Sequence, residues 1–107
     1  MVDFDASKPS IARVYDYLAG GRDNFAADRA LADRLVTIAP SVPEAVRENR
    51  AMLSRAVRWS AERGIRQFID LGGGLPTDPG THQTARLVVP EARVAYVDND
   101  PVVILHL

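Results

Sequence analysis

The 107-residue sequence contains no cysteine and only two histidines, His82 and His106. Without cysteine, neither disulfide bonds nor thiolate metal sites can form. The two histidines lie too far apart in the sequence to make a local ligand pair, so no metal site is predicted. Basic and acidic residues nearly balance, with a net charge of −1, so no basic patch indicates binding to nucleic acid or to an acidic membrane.

A long apolar run is also missing, and the N-terminus carries acidic residues. We therefore expect neither a signal peptide nor a membrane span, and a cytoplasmic protein is the simplest interpretation. The remaining composition, 47% hydrophobic and 25% charged, is typical of a folded globular chain, and 107 residues suffice for one small domain.

The first part of the sequence has helical periodicity. Helices are predicted at about 9–19, from Asn24 to Pro40, and at about 43–63, where Gly64 ends the third. The residues at helical spacing that are predicted to face inward are Ile11, Val14, Tyr15 and Leu18; Phe25, Leu31, Leu35 and Ile38; and Val46, Leu53, Val57 and Ser60. The residues assigned to the solvent face of the third helix include Arg47, Arg50, Arg55 and Arg58.

After Gly64, short apolar runs alternate with loops rich in glycine and proline. The pattern predicts strands at 67–71 and 93–98, joined through a glycine loop and a helix at 81–89. A further helix is predicted to begin at Asp100, with Asp100 as its capping residue. This order is a βαβ unit, which implies parallel strands and a right-handed crossover.

The run from Asp70 through Gly72, Gly73 and Gly74 leaves the carboxyl end of the first strand, where open α/β sheets bind ligands. Glycines let the backbone turn sharply and approach a ligand closely. Thr77 occupies the place of the third glycine of a dinucleotide fingerprint, and Asp70 suits a ligand with an ammonium group better than a pyrophosphate. A plain glycine turn remains the alternative.

Asp98 ends the second strand, 24 residues after Gly74. A carboxylate there offers only acceptors and suits the two hydroxyls of a ribose; the alternative is an ordinary strand-end aspartate. Asn99 could face an adenine through its backbone. His82 is expected to be a solvent-exposed polar residue, with a general base as the alternative, and Trp59 is expected to serve in packing, with a stacking platform as the alternative.

Asp70-x-Gly72-x-Gly74 with Asp98 resembles the first two cofactor motifs of the Rossmann-like, class I methyltransferases. Residues 9–25, 67–77 and 96–101 are also similar to a bacterial group of S-adenosyl methyltransferases that carry a helical N-terminal extension. The resemblance implies an α/β fold in which residues 1–64 form a helical cap and residues 65–107 begin a Rossmann-like domain that binds S-adenosylmethionine.

The resemblance also implies roles for individual residues. Asp70, Gly72 and Gly74 would line the methionine end of the cofactor, and Asp98 would hold its ribose. Gly73, in the same loop, and Asn99 are also predicted to belong to the cofactor site. The residues implied to belong to a cap over the cofactor mouth are Tyr15, Tyr17, Arg22, Asp23 and Asn24. Neither catalytic residues nor the methyl acceptor are identified.

The function predicted is therefore the cofactor-binding part of a methyltransferase. Members of the group are more than twice as long, so we expect an incomplete fold that is inactive alone. Val103, Ile104 and Leu107 would then be exposed or buried against something absent, and the open sheet edge favours self-association. The alternatives are a fragment of an NAD(P)-dependent oxidoreductase and a non-catalytic helical interaction module formed by residues 9–63.

Overall fold

The computed structural model describes residues 4–107. The elements, in chain order, are α1 (Ile11–Leu18), α2 (Ala26–Ile38), α3 (Val42–Glu62), β1 (Gln67–Leu71), α4 (Thr81–Val88), β2 (Arg93–Val97) and α5 (Pro101–His106). The predicted fold class is confirmed: a helical N-terminal part precedes one βαβ unit. None of the helices in this range is long and apolar enough to cross a membrane.

The sheet consists of β1 and β2, which are parallel. Their register pairs Gln67 with Arg93 at one end and Leu71 with Val97 at the other. The backbone N–H of Gly72 donates to the carbonyl of Val97 at 2.7 Å, so the pairing continues into the glycine loop. Because the strands are parallel, the segments that follow them emerge at the same edge of the sheet.

A first core joins α3 and α4 to the sheet. Its buried residues are Val57 of α3, Ala85 of α4 and Ala92 before β2, and Phe68 of β1 packs against them. The predicted stripe of α3 is confirmed at Val57, which is 6% exposed. This contact fixes α3 over one face of the βαβ unit, so the helical part and the sheet share a core.

A second core lies between α1, α5 and the glycine loop. It contains Leu75, Val102 and Val103, with Ala12 of α1 packed against them. Val103 is fully buried, so the expectation that it would lack a partner within this chain is wrong. Leu75, just after the glycines, belongs to the same buried cluster as Val103 and so provides an apolar partner within the chain. Ile104 and Leu107 are 48% and 47% exposed, as expected.

Arg13 and Asp28 form a buried ion pair that sequence patterning did not predict. The Arg13 Nε donates to Asp28 Oδ2 at 2.9 Å, and the two side chains are 4% and 0% exposed. Backbone N–H groups of Ser10 and Phe25 donate to the same carboxylate at 2.9 and 2.8 Å. A buried charge needs such partners, and together they lock α1 against the start of α2.

The predicted inner faces of α1 and α2 are right in part: Val14 is buried and Tyr15, Leu18, Phe25 and Leu31 are partly buried, whereas other members of the two faces are exposed. Ile11 is 90% exposed, because burying Arg13 and Val14 turns α1 away from it. On α2 the buried residues are Asp28 and Ala32; Leu35, which follows them at helical spacing, is 38% exposed near the end of the helix, and Ile38, off that face, is 82% exposed. Arg13 and Asp28 are buried members of these two helices that the apolar pattern alone did not include.

Trp59 also differs from its prediction. Its side chain is 58% exposed, and the guanidinium carbon of Arg63 lies 3.8 Å from its ring centroid. The indole is therefore covered in part by a neighbouring arginine of its own helix end and does not pack in the interior.

Candidate functional site

The glycine loop and the end of β2 converge on a cleft of about 850 Å³ at the carboxyl edge of the sheet. The sequence-predicted residues that line it are Tyr15, Asp70, Gly72, Gly73, Gly74, Asp98 and Asn99. The convergence follows from the parallel strands, since each segment leaves its strand on the same side.

The glycine loop has a backbone that other residues rarely adopt. Gly72 and Gly74 have φ values of +63° and +77°, which side chains disfavour. Gly73 is restricted in another way, because a Cβ there would overlap the carboxylate of Asp70. The turn itself therefore requires glycine at positions 72 and 74, and the position of the Asp70 carboxylate requires it at position 73.

Asp70 connects the loop to the next helix. Its Oδ2 accepts a hydrogen bond from the Thr81 hydroxyl, the first residue of α4, at 2.8 Å. The carboxylate is half-buried and lines the cleft. This bond holds Asp70 in place while leaving acceptor capacity on its other oxygen.

Asp98 connects the glycine loop directly to the segment that follows β2. Its Oδ2 accepts from the backbone N–H of Gly74 at 3.0 Å, and its Oδ1 accepts from the backbone N–H of Asp100 at 2.9 Å. These two bonds hold the side chain in the lining of the cleft. Each carboxylate oxygen can accept two hydrogen bonds, so both retain capacity for a ligand hydroxyl.

Asp100 is the cap of α5, as predicted. Its Oδ1 accepts from the backbone N–H of Val102 at 2.9 Å. Its other oxygen accepts a hydrogen bond from the Ser10 hydroxyl, and Ser10 is itself the residue that caps α1. The start of α1 is therefore attached to the loop that carries Asp98.

Arg50 is a residue of the cleft that the sequence prediction missed. It was assigned to the solvent face of α3, but it is partly buried, lines the cleft and donates from Nη2 to the Gly73 carbonyl at 2.9 Å. Its guanidinium carbon lies 4.8 Å from the ring centroid of Tyr15. Helical spacing carried a usable signal, since Val46, Arg50, Leu53 and Val57 recur at intervals of three or four.

Tyr15 is held between α1 and α3. Its hydroxyl donates to the Val46 carbonyl at 3.3 Å and accepts from the Asn49 side chain at 2.9 Å. The ring is thereby fixed against Arg50. Tyr15 and Arg50 are the contacts by which the helical part of the chain reaches the cleft.

Arg22 and Asn24 are not among the residues that line this cleft. Arg22 is exposed, while the Asn24 side chain donates to Asp16 Oδ2 at 2.9 Å and to the Gly21 carbonyl at 3.1 Å. The backbone N–H of Asp23 donates to the same carboxylate oxygen at 2.9 Å. These bonds account for Asn24 as part of a closed turn. The predicted role of Arg22 and Asn24 beside a cofactor remains a prediction.

His82 is not the solvent-exposed residue expected. It is partly buried, its backbone N–H donates to the Tyr96 hydroxyl at 2.9 Å, and its Nδ1 lies 2.6 Å from that hydroxyl. Both residues line a second cavity of about 410 Å³ beside Asp70. Within residues 4–107, no cluster of metal-ligating side chains occurs.

A model of the family described as S-adenosyl methyltransferase matches residues 1–107. The chain belongs to this family. No curated protein matches it. The family assignment agrees with the resemblance seen in the sequence, and it covers both the helical part and the βαβ unit.

Solved structures resemble this family member closely. A crystal structure of a candidate methyltransferase from Thermobifida fusca YX is 57% identical, with a TM-score of 0.92 over 98% of this chain. A DUF574 family protein from Streptomyces avermitilis MA-4680 is 46% identical, with a TM-score of 0.93 over 95% of this chain. The chain spans 39% of the length of each.

Proposed function

We propose that the cleft binds S-adenosylmethionine and that the protein acts in methyl transfer. The observation that carries the proposal is the convergence of two carboxylates, Asp70 and Asp98, around a glycine loop at the carboxyl edge of a parallel sheet. Membership of the S-adenosyl methyltransferase family supports it over the oxidoreductase and the interaction module.

The residues present fit this cofactor. A volume of about 850 Å³ is ample for a ligand of its size. Asp98 offers acceptors for the ribose hydroxyls, and the backbone of Asn99 lies beside it for the adenine. Asp70 offers a carboxylate for the ammonium group of the methionine end, and the glycines leave the loop backbone open beside it.

When bound, S-adenosylmethionine supplies an activated methyl group on its sulfonium. The roles proposed for this chain's own residues are binding and orientation, which matter because methyl transfer depends mainly on the alignment of the reacting groups. Absence of turnover by the 107 residues alone remains a prediction.

Calorimetric titration of the chain with S-adenosylmethionine and, separately, with NAD tests the proposal. We expect binding of the first and none of comparable affinity for the second. Asp98→Ala should weaken S-adenosylmethionine binding by about 1.5–3 kcal/mol, the scale of hydrogen bonds to a charged group. Glu91→Ala is the matched control, because Glu91 lies before β2, at the opposite end of that strand, and is exposed.

Two results would refute the proposal. One is a preference for NAD, and the other is unchanged affinity in the Asp98 variant with folding intact by circular dichroism. An equal loss in the Asp98 and Glu91 variants would indicate that the substitutions act through stability and not through contact with the ligand.

A further inference from the structure

We infer that Arg50, from the helical part of the chain, binds the carboxylate of the methionine end of S-adenosylmethionine. This inference rests on the proposed function and names a subsite within it. It assigns to α3 a direct contact with the ligand, whereas the motifs read from the sequence lie in the βαβ unit.

The position of Arg50 is the first argument. Its Nη2 donates to the Gly73 carbonyl at 2.9 Å and lies 3.7 Å from where a Cβ of Gly74 would stand. The guanidinium therefore lies against the glycine loop, on the cleft that Asp70 also lines. A group bound to that loop would meet the arginine and the aspartate together.

Unused hydrogen-bond donors are the second argument. A guanidinium has five N–H donors, and the bond to Gly73 is the one that Arg50 makes within residues 4–107. Its Nε is buried and has no partner in that range. Nη1 likewise makes no hydrogen bond in that range and is not among the buried atoms, so it remains available to a ligand in the cleft that Arg50 lines.

Charge is the third argument. Arg50, which is partly buried, forms no ion pair within the described range 4–107, whereas Arg13, a buried cation at the same cleft, pairs with Asp28 and has its Nη1 3.9 Å from Asp100 Oδ1. S-adenosylmethionine carries a sulfonium, an ammonium and a single carboxylate. Asp70 is proposed to bind the ammonium group and Asp98 the ribose hydroxyls. The carboxylate is left for Arg50, whose planar guanidinium can donate two parallel hydrogen bonds to it.

Tyr15 keeps this guanidinium in place. Its ring lies under the guanidinium at 4.8 Å, and its hydroxyl is fixed by Val46 and Asn49 of α3. An arginine held before the ligand arrives loses less conformational freedom on binding. The helical part thereby provides a rigid anion-binding group to a loop that otherwise offers backbone and carboxylates.

A thermodynamic cycle tests the contact on the intact chain. S-adenosylmethionine and decarboxylated S-adenosylmethionine, which differ in that carboxylate, are titrated into wild type and Arg50→Gln by calorimetry. Arg50→Gln should weaken S-adenosylmethionine binding by about 10- to 100-fold, as expected for hydrogen bonds to a charged group, and leave the decarboxylated ligand within about 3-fold. Arg55→Gln, an exposed arginine of the same helix, should change neither.

The outcomes separate this inference from the proposed function. If wild type binds S-adenosylmethionine but Arg50→Gln weakens both ligands equally, Arg50 supports the loop and does not contact the carboxylate, so the inference is overturned while the function stands. Unchanged binding of both ligands overturns it as well. If wild type binds neither ligand, the proposed function fails and the inference fails with it.

Discussion

Two aspartates of this chain each lie over a glycine that follows them. The carboxylate of Asp70 occupies the space where a Cβ of Gly73 would stand, and that of Asp16 does the same at Gly21. Both carboxylates then accept hydrogen bonds from residues further along the chain. Glycine is needed at these positions because a preceding aspartate side chain folds back over the backbone. A motif that is interpreted only as space for a ligand does not reveal this requirement.

Gly73→Ala should displace Asp70 from Thr81, because the new Cβ and the carboxylate cannot share the space. We expect a loss of about 0.5–1.5 kcal/mol in the free energy of unfolding, the net value of one hydrogen bond. Urea denaturation of Gly73→Ala, Thr81→Val and the double variant provides the measurement. The double variant should lose less than the sum of the single variants. Simple additivity would show that the alanine acts elsewhere.

The buried Arg13–Asp28 ion pair predicts a larger effect on stability. Asp28→Ala removes the acceptor of three donors and leaves the Arg13 charge buried. We expect a loss of about 3–5 kcal/mol, the usual cost of breaking a buried ion pair, or loss of the folded helices altogether. Circular dichroism during urea denaturation measures it.

Asp33→Ala is the control for that experiment, since Asp33 is an exposed carboxylate of the same helix. It should change the free energy of unfolding by less than about 0.5 kcal/mol. Equal effects from the two variants would contradict the role assigned to the buried pair.

At the scale of elements, the sequence predicts where the strands begin and end better than it predicts which face of a helix is buried. The bounds of β1 are confirmed and the predicted end of β2 differs by one residue, because short apolar runs next to glycine and proline leave few alternatives. The inner faces of α1 and α2 were predicted only in part: Val14 is buried as expected, but Ile11 and Ile38 are exposed. The buried faces include Arg13 and Asp28, whose burial follows from a pairing between separate helices that no local pattern contains.

The residues of the candidate site also divide into those that the sequence predicts and one that it does not. Asp70, the glycines and Asp98 were predictable because β-strand order brings loop ends together. Arg50 was not, since its contact with Gly73 spans 23 residues and depends on how α3 lies on the sheet. Hydropathy places such an arginine in solvent.

Ser10 links two elements and provides a prediction at this scale. Its hydroxyl oxygen accepts a hydrogen bond from the backbone N–H of Arg13 at 3.4 Å and so caps α1. The same hydroxyl donates to the carboxylate of Asp100. Ser10→Ala should cost about 1 kcal/mol, typical of a lost N-cap, and hydrogen exchange should accelerate in α1. Ser7→Ala, at an exposed serine that contacts Asp5, should leave that exchange unchanged. Equal protection of α1 in both variants would contradict the link.

At the scale of the whole molecule, the sheet has one covered face and one open face. Residues along both strands alternate between partly buried and exposed. On the open face, Ile69 and Leu71 of β1 are 71% and 72% exposed, and Val97 of β2 is 51% exposed. Parallel sheets are normally covered on both faces, and within residues 4–107 each strand pairs on one side only.

This open surface predicts that the 107-residue chain associates in solution. Contiguous apolar side chains beside unpaired strand edges favour contact between copies. Light scattering should therefore give a mass that rises with concentration for wild type, and Ile69→Glu should reduce that rise by placing a charge on the sheet face. Ile38→Glu introduces the same charge at an isoleucine of α2 that is 82% exposed but lies outside the sheet, so it should leave the association unchanged. A wild-type chain that stays monomeric at all concentrations, or an Ile38→Glu variant that dissociates as readily as Ile69→Glu, would show that the sheet face does not mediate the contact.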